Sequence, residues 1–272
     1  MAGLGKIRYT GQSHNGPSNL IWHDCPWLEM LEDPGLGYVF WDDFLNFSQH
    51  ISIQNTQQYS SYVDTGVTIK SLATAVGGVI EVAANDADND EGSIQVGGNS
   101  GVMGVISDTA ADAKKMWFEA RIKKASIADN ALAFFVGLGE ENLAAENTLI
   151  DNTGEFAAKD CIGFRVKHDN GEELDFVYGK AATPTEVIAN IKAMVADTYV
   201  KVGFKYDPDE IAAKRIKIYH DNVEQSTYVT GTNIAAATFP DAEEMGLLLA
   251  TKVGAAAESK LELDWWRFAQ LR

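Results

Sequence analysis

The amino-acid sequence predicts an all-β protein in which two sheets pack face to face. The C-terminal half carries short runs in which apolar and polar residues alternate, and turn residues separate these runs. In one of them, Val200, Val202 and Phe204 fall on one face of a strand. Lys201 and Lys205 alternate with them and fall on the opposite face. Several such runs in succession are typical of a two-sheet sandwich.

The alternating runs place the strands in order along the chain. We predict strands near residues 65–70, 78–83, 92–96, 115–124, 131–138, 161–167, 173–178, 198–206, 214–220, 223–229, 245–251 and 260–270. Asp221 and Asn222 predict a hairpin turn between two of these strands, and residues 169–171 predict another. The apolar faces predict a core that contains Phe118, Ile122, Phe135, Phe164, Val202, Phe204, Ile218 and Leu263.

Two stretches have compositions that suit helical turns. Residues 140–147 and 185–196 contain Ala with Glu or Met. In the second stretch, Val187, Ile191 and Val195 follow the i, i+4, i+8 spacing of one helix face. The pattern therefore favours short helices at both places.

Residues 1–37 differ from the rest of the chain because glycine and proline interrupt every regular pattern. The segment also carries large apolar side chains, Ile21, Trp22, Trp27, Leu28, Met30 and Leu31, of which we single out Trp22, Trp27, Leu28 and Leu31. A segment without a core of its own must bury such side chains against something else. Two alternatives remain open, the sandwich of the same chain and a neighbouring subunit. We predict an extended arm over residues 1–37 with these four partner-binding residues, followed by a sandwich over residues 38–272.

The composition excludes several classes of partner. The chain has 22 Lys and Arg against 39 Asp and Glu, which gives a formal net charge of −17. Nucleic acid and anionic membranes bind clustered Lys and Arg, so neither is an expected partner. No run approaches the roughly 18 apolar residues that span a bilayer. Cys25 and Cys161 are too few for a disulfide framework, and we expect free thiols.

Five segments occur in a familiar order, residues 117–122, 135–138, 162–164, 199–207 and 217–222. Together they resemble the concanavalin A-like jelly roll, especially its laminin-G-like members. In that family a Tyr-x-Asp-Gly turn joins two late strands, and an Asp-Trp pair lies near the end of the last strand. Here Asn222 replaces the glycine, and Asp264 precedes Trp265. The resemblance spans roughly residues 60–272 and implies a two-sheet jelly roll.

A second resemblance lies further towards the N-terminus. Residues 33–38 lead into residues 41–44, and this stretch is similar to the start of structural proteins of tailed bacteriophages that carry a jelly roll. This resemblance implies a capsid decoration or cement protein on the outside of the virion. Its expected partners are a major capsid protein and further copies of the same chain.

Glycan hydrolysis is not expected, although some jelly rolls of this type hydrolyse glucans. Those enzymes resemble one another in a Glu-x-Asp-x-(x)-Glu strand, which supplies both a nucleophile and a proton donor. Residues 173–178 contain the first two acids but have Val177 or Tyr178 in place of the last one. Residues 262–267 fail in the same way. The sequence therefore predicts a protein that is not an enzyme.

One acidic loop has the start of a calcium-binding pattern. Asp86, Asp88 and Asp90 occupy positions 1, 3 and 5 of such a loop. Position 6 is Glu91 where glycine is required, and position 12 is Gly97 where glutamate is required. Two interpretations remain, a solvated acidic loop without a cofactor and a calcium site formed by these three aspartates.

The pair Trp265 and Trp266 provides the alternative function. Aromatic rings stack on sugar rings, and a jelly roll with an exposed tryptophan suits a lectin-like carbohydrate-binding module. Neighbouring strand residues point to opposite faces, so one of the two belongs to the core. We predict a non-enzymatic virion protein that docks on the phage head through residues 1–37. The alternatives are a glycan-binding module and, third, a glycan hydrolase.

Overall fold

The protein is a sandwich of two antiparallel sheets. The computed structural model describes residues 15–45, 47, 58–72, 75, 77–84, 87–97, 103–107, 109, 112–181, 184–255 and 258–272. All the named strand pairs in this part of the chain are antiparallel. The predicted fold class, an all-β two-sheet jelly roll, is confirmed.

One sheet has eight strands. In spatial order it contains β13 (Val223–Glu224), β12 (Ile216–His220), β11 (Thr198–Tyr206), β6 (Met116–Lys124), β15 (Ser259–Leu271), β4 (Ile80–Ala84) and β3 (Thr68–Ser71). The eighth strand, β1 (Gly37–Asp42), pairs with residues 266–271 of β15. Because β4 pairs with residues 259–263, β1 and β4 share one edge of the long strand β15.

The other sheet has seven strands. In spatial order it contains β10 (Thr185–Ala193), β9 (Glu173–Gly179), β8 (Cys161–Val166), β7 (Ala133–Gly139), β14 (Gly246–Lys252), β5 (Glu91–Val96) and β2 (Tyr59–Val63). The helices are short. They are α1 (Asn19–Trp22), α2 (Trp27–Glu32), α3 (Gly231–Ile234) and a 3-10 helix (Ala212–Lys214). Among the described residues, no helix is long and apolar enough to cross a membrane.

The core between the sheets is built from the alternating apolar positions. All eight predicted core residues are fully buried, and seven of them belong to this core. Phe135 is the exception, because it lies on the outer face of the seven-stranded sheet, where its ring packs 4.4 Å from that of Phe156. Cys25 and Cys161 are free thiols, as predicted.

A β-bulge in β15 determines which side chains reach the surface. The pairing of β15 with β6 shifts between Leu263 and Trp265, so Asp264 is an extra residue. Before the bulge Leu263 faces the core; after it Trp266 does, and Trp265 faces outwards. The prediction that the two neighbouring tryptophans point to opposite faces is confirmed.

The two predicted helices are wrong. Residues 140–147 form turns, and residues 185–193 form the edge strand β10. The pairing of β10 with β9 shifts twice, and Asn190 adopts a φ of +48°. Each shift interrupts the two-residue alternation of side chains along the strand. The spacing of the apolar residues in β10 therefore resembles that of a helix face. Sequence alternation also missed β1 and β2.

The hairpin prediction at Asp221 and Asn222 is confirmed, since these residues connect β12 to β13. Both have positive φ, +43° and +64°. A two-residue turn with positive φ at both positions matches the twist of antiparallel strands, and Asn and Asp tolerate that conformation. Asn222 therefore takes the place of the glycine without loss of the turn.

Candidate functional site

Residues 15–36 lie on the outer face of the eight-stranded sheet. A buried carboxylate, Glu119 of β6, holds the segment in place. Its two oxygens accept the backbone N–H of Ser18 at 2.9 and 3.1 Å, and Oε2 also accepts the indole N–H of Trp22 at 2.7 Å. Burial raises the pKa of Glu119, and these hydrogen bonds oppose part of that shift.

A second polar contact lies on the same segment. The carboxylate of Asp24 accepts the indole N–H of Trp117 at 3.0 Å and forms an ion pair with Lys205 of β11. Burial alone would raise the pKa of Asp24, but the hydrogen bond and charge of Lys205 lower it below its usual value. The segment is therefore attached to two neighbouring strands, β6 and β11.

Of the predicted extended arm, residues 1–14 lie outside the described residues, and the remainder contains the short helices α1 and α2. Ile21 of α1 and Met30 of α2 point to the sheet and are buried. Two glycines allow this close approach, because a Cβ on Gly203 would meet Ile21 Cδ1 at 2.6 Å and one on Gly37 would meet Met30 Sδ at 2.5 Å. Within the described residues, the segment belongs to the same chain's sandwich.

The four predicted partner-binding residues divide into two groups. Trp22 is buried against its own sheet, and Trp27 is half-buried with its ring 5.5 Å from that of Trp22. Leu28 and Leu31 point outwards and are 38% and 58% exposed. Leu28 and Leu31 remain available to a partner, and docking on a capsid protein stays a prediction.

A groove with a volume of about 570 Å³ lies beside this segment. We call it the Trp41 groove. Its walls come from residues 15–17, from the end of β1, from residues 75–79 and from the outward side chains of β6, β11 and β15. The pairing of β1 with β15 brings Trp41 opposite Arg267, so both ends of the chain contribute to this surface.

The floor of the groove is a network of charged and aromatic groups. Arg121 forms an ion pair with Asp264, the bulge residue, and donates to Asn15 Oδ1 at 3.2 Å. Its guanidinium lies 3.8 Å from the ring centroid of Tyr199. Trp265 donates its indole N–H to the backbone oxygen of Asn15 at 2.9 Å. These contacts make the floor rigid.

The rim carries the exposed aromatic group. Trp41 is 51% exposed, and the guanidinium of Arg267 lies 4.3 Å from its ring centroid. The same guanidinium lies 5.1 Å from the ring of Trp27. The guanidinium of Arg267 therefore lies within cation–π distance of two tryptophans, while about half of Trp41 remains open to solvent.

The outer face of the seven-stranded sheet is covered. Side chains of residues 143–156, among them Leu149 and Phe156, pack on it. Glu173 and Asp175 lie on this face, and Val177, fully buried, follows them where a third acid is required. Burial raises the pKa of Asp175, which the backbone N–H of Asn190 and the charge of Arg165 oppose.

A buried lysine holds this covering segment. Lys252 of β14 donates to Glu91 Oε2 at 3.1 Å, to Asn147 Oδ1 at 3.1 Å and to the backbone oxygen of Leu149 at 2.9 Å. It also forms an ion pair with Asp151 at 2.6 Å. The covering is thus fixed to the strands beneath it.

The second acidic pair also lacks a third acid. Glu262 pairs with Lys123 at 2.8 Å, Asp264 pairs with Arg121, and Trp266 lies in the core. Each of the two acids therefore has a cationic partner, and the side chain in the third position cannot reach the surface.

The acidic loop that suggested calcium lies between β4 and β5. Asp86 is outside the described residues, Asp88 is exposed and Asp90 is half-buried. In the part of the chain that the structure describes, no group of three or more His, Cys, Asp or Glu is arranged to hold a metal ion.

Sequence reasoning singled out Trp265 but missed most of the other residues of the Trp41 groove. Trp41, Tyr199 and Arg267 are distant in sequence, and only the pairing of β1, β6, β11 and β15 brings them together. The available signal was the charge on the outer faces of β6 and β15, where Arg121 and Arg267 alternate with core residues.

Comparison with known protein families gives no match, and comparison with curated protein sequences gives none either. Solved structures do match. Peanut lectin in complex with a nine-residue peptide is similar over 87% of this chain and 98% of its own, with 14% identity and a TM-score of 0.57. The carbohydrate recognition domain of Emp46p in its potassium-bound form is similar over 87% and 97%, with 13% identity and a TM-score of 0.51.

A GH16 protein from the mixed-linkage glucan locus of Bacteroides ovatus, bound to a glucan product, is also similar. It matches over 84% of this chain and 99% of its own, with 14% identity and a TM-score of 0.51. None of these three neighbours is a virion protein, so the predicted bacteriophage link has no support from them. At these identities the likeness shows the fold alone, and that fold is the concanavalin A-like jelly-roll sandwich.

Proposed function

We propose that the protein is a glycan-binding module that uses the Trp41 groove and does not hydrolyse its ligand. The observation that carries this proposal is the half-exposed ring of Trp41 on the rim of a groove of about 570 Å³. Binding pockets for small ligands have volumes of about 300–1,000 Å³ and a few polar groups that fix orientation. The groove satisfies both requirements.

Its chemistry suits a sugar. A pyranose has an apolar face of C–H groups, which stacks on an aromatic ring, and hydroxyl groups around its edge. Trp41 offers the ring, while Asp43 lines the same groove and offers oxygen acceptors. Tyr199 and Trp265 also line it, but the Arg121 guanidinium lies over the Tyr199 ring and Trp265 is only 7% exposed. The lectins and the glucan-bound protein of this fold add support by analogy.

The absence of hydrolysis is part of the proposal. A retaining mechanism requires two carboxyl groups about 5–5.5 Å apart on either side of the scissile bond. Val177 and Trp266 occupy the positions where the strand pattern needs its last acid. Residues 143–156 also cover the sheet face that carries Glu173 and Asp175.

Affinity electrophoresis in gels that contain soluble polysaccharides tests the binding. We expect mixed-linkage β-glucan, galactomannan, alginate or polygalacturonate to retard the protein, and Trp41→Ala to weaken retardation about fivefold or more, since loss of an aromatic anchor costs more than about 1 kcal/mol. Val223→Ala is the matched control, because Val223 is also 51% exposed but lies on β13, outside the groove.

Two results would contradict the proposal. One is the absence of retardation by every polysaccharide. The other is equal retardation of Trp41→Ala and the unmodified protein. Release of new reducing ends from a bound polysaccharide would contradict the non-enzymatic part, provided that Glu173→Gln abolishes it.

A further inference from the structure

The cation at the rim of the Trp41 groove lacks an anion. Arg267 is only 7% exposed, and its guanidinium lies between the rings of Trp27 and Trp41. Its buried Nε has no hydrogen-bond acceptor. Among the described residues, the side chain of Arg267 forms no ion pair and no hydrogen bond. A buried guanidinium without a counter-ion is costly, and proteins normally pair it.

Two neighbouring carboxylates are occupied by other groups, and a third, Asp43, lines the groove without forming an ion pair with Arg267 among the described residues. Glu119 lies opposite Arg267 in the strand pairing, but its oxygens accept the N–H groups of Ser18 and Trp22. Asp264 is paired with Arg121. The walls of the groove therefore neutralise the charge of Arg121 but not that of Arg267.

The surroundings of the guanidinium leave its terminal N–H groups for a ligand. The rings of Trp27 and Trp41 lie close to it and its Nε is buried, so an anion in the groove meets the edge that carries the terminal N–H groups. Arg267 lines the groove, which places that edge beside the exposed part of Trp41. The planar fork of N–H donors matches the two oxygens of a carboxylate.

We propose that Arg267 binds the carboxylate of an acidic sugar, such as a uronic acid, while the sugar ring stacks on Trp41. This inference rests on the proposed glycan-binding function and names its ligand class. Asp43, on the same groove wall, accepts hydroxyl groups at the other side of the ring. The net charge of −17 repels polyanions, so binding of one requires a specific cationic site.

The test compares each acidic polysaccharide with its own uncharged form. Alginate, polygalacturonate and hyaluronan are used beside their carboxyl-reduced counterparts, which have the same sugar rings with an alcohol in place of the carboxylate. We expect at least one acidic form to bind the protein ten times or more tightly than its reduced form. In Arg267→Gln we expect that preference to disappear, while Arg267→Lys retains part of it. Thermal unfolding of each variant checks that the sandwich is intact.

The outcomes separate this inference from the proposed function. If the acidic and reduced polysaccharides bind with equal affinity, and Trp41→Ala binds neither, the role of Arg267 is overturned. The proposed glycan binding then remains in place. A preference that survives in Arg267→Gln also overturns it. Dextran sulfate beside dextran forms a further arm, and a preference for sulfate alone would contradict the carboxylate assignment. No binding in any of these arms overturns the role of Arg267, and the proposed glycan binding falls as well only if mixed-linkage β-glucan and galactomannan also fail to retard the protein.

Discussion

Trp22 donates its indole N–H to the carboxylate of Glu119 at 2.7 Å, and both side chains are buried on the outer face of the eight-stranded sheet. The same carboxylate accepts the backbone N–H of Ser18. One acidic side chain of β6 thus satisfies the first turn of the N-terminal segment. This contact makes the described part of the segment belong to the sandwich rather than form an independent arm.

Replacement of that carboxylate should loosen the segment. In Glu119→Gln, one acceptor oxygen becomes an NH₂ donor that faces another donor, so we expect a loss of about 1–3 kcal/mol in the free energy of unfolding. Chemical denaturation followed by tryptophan fluorescence measures it. Glu258→Gln, at an exposed position, is the control and should change stability by less than about 0.5 kcal/mol. Equal stability of both variants would contradict the anchoring role.

The same variant should change the dependence of stability on pH. Burial raises the folded-state pKa of Glu119, although its hydrogen bonds and the charge of Lys201 oppose the shift. A raised pKa favours the protonated form, so the stability from this group is complete below the usual pKa and is lost as pH rises through the folded value. The stability of the unmodified protein relative to Glu119→Gln should therefore fall as the pH rises above the usual glutamate pKa of about 4. A difference that grows with pH would contradict the shift.

The core should respond strongly to the loss of one ring. Phe204 is fully buried, and its ring lies 5.3 Å from that of Phe118 and 5.8 Å from that of Phe176, which belongs to the facing sheet. We expect Phe204→Ala to lower the free energy of unfolding by about 3–5 kcal/mol through lost burial and an empty cavity. Denaturant titration checks this value. A loss below about 1 kcal/mol would be incompatible with its burial.

The covering of the seven-stranded sheet should depend on Lys252. In Lys252→Met, the carboxylate of Glu91 stays buried without its cation, and we expect a loss of about 3–5 kcal/mol. The double variant Glu91→Gln with Lys252→Met should lose less than the sum of the two single variants. Lys159→Met is the control, because its pair with Glu140 is half exposed. Additive losses in the double variant would show that the pair is not coupled.

The sequence predicted the elements whose side chains alternate without interruption. In β6 and β11 the apolar residues at alternate positions face the core, so Phe118, Ile122, Val202 and Phe204 could be assigned from the pattern. The pattern fails where a bulge shifts it. The two irregularities of β10 made a strand resemble a helix.

The groove could not be predicted for a different reason. Trp41 lies on a strand whose partner is at the opposite end of the chain, and Arg267 faces outwards only because of the bulge at Asp264. The local pattern of apolar and polar residues in the sequence predicts neither the pairing of β1 with β15 nor the bulge at Asp264. The predicted arm illustrates the same limit, since its apolar residues were identified but not the sheet face that receives Trp22.

The pairing of β1 with β15 has a consequence for the newly made protein. The hydrogen bond from Trp265 to Asn15 joins residues 250 positions apart, and Arg267 reaches Trp41 only after β15 has been synthesised. Contacts of such long sequence separation form late, because the loop between them must close first. A ribosome that stops before residue 259 would release a chain in which Trp27 and Trp41 have no arginine between them. The Trp41 groove is therefore complete only in a chain whose last strand, β15, has been synthesised.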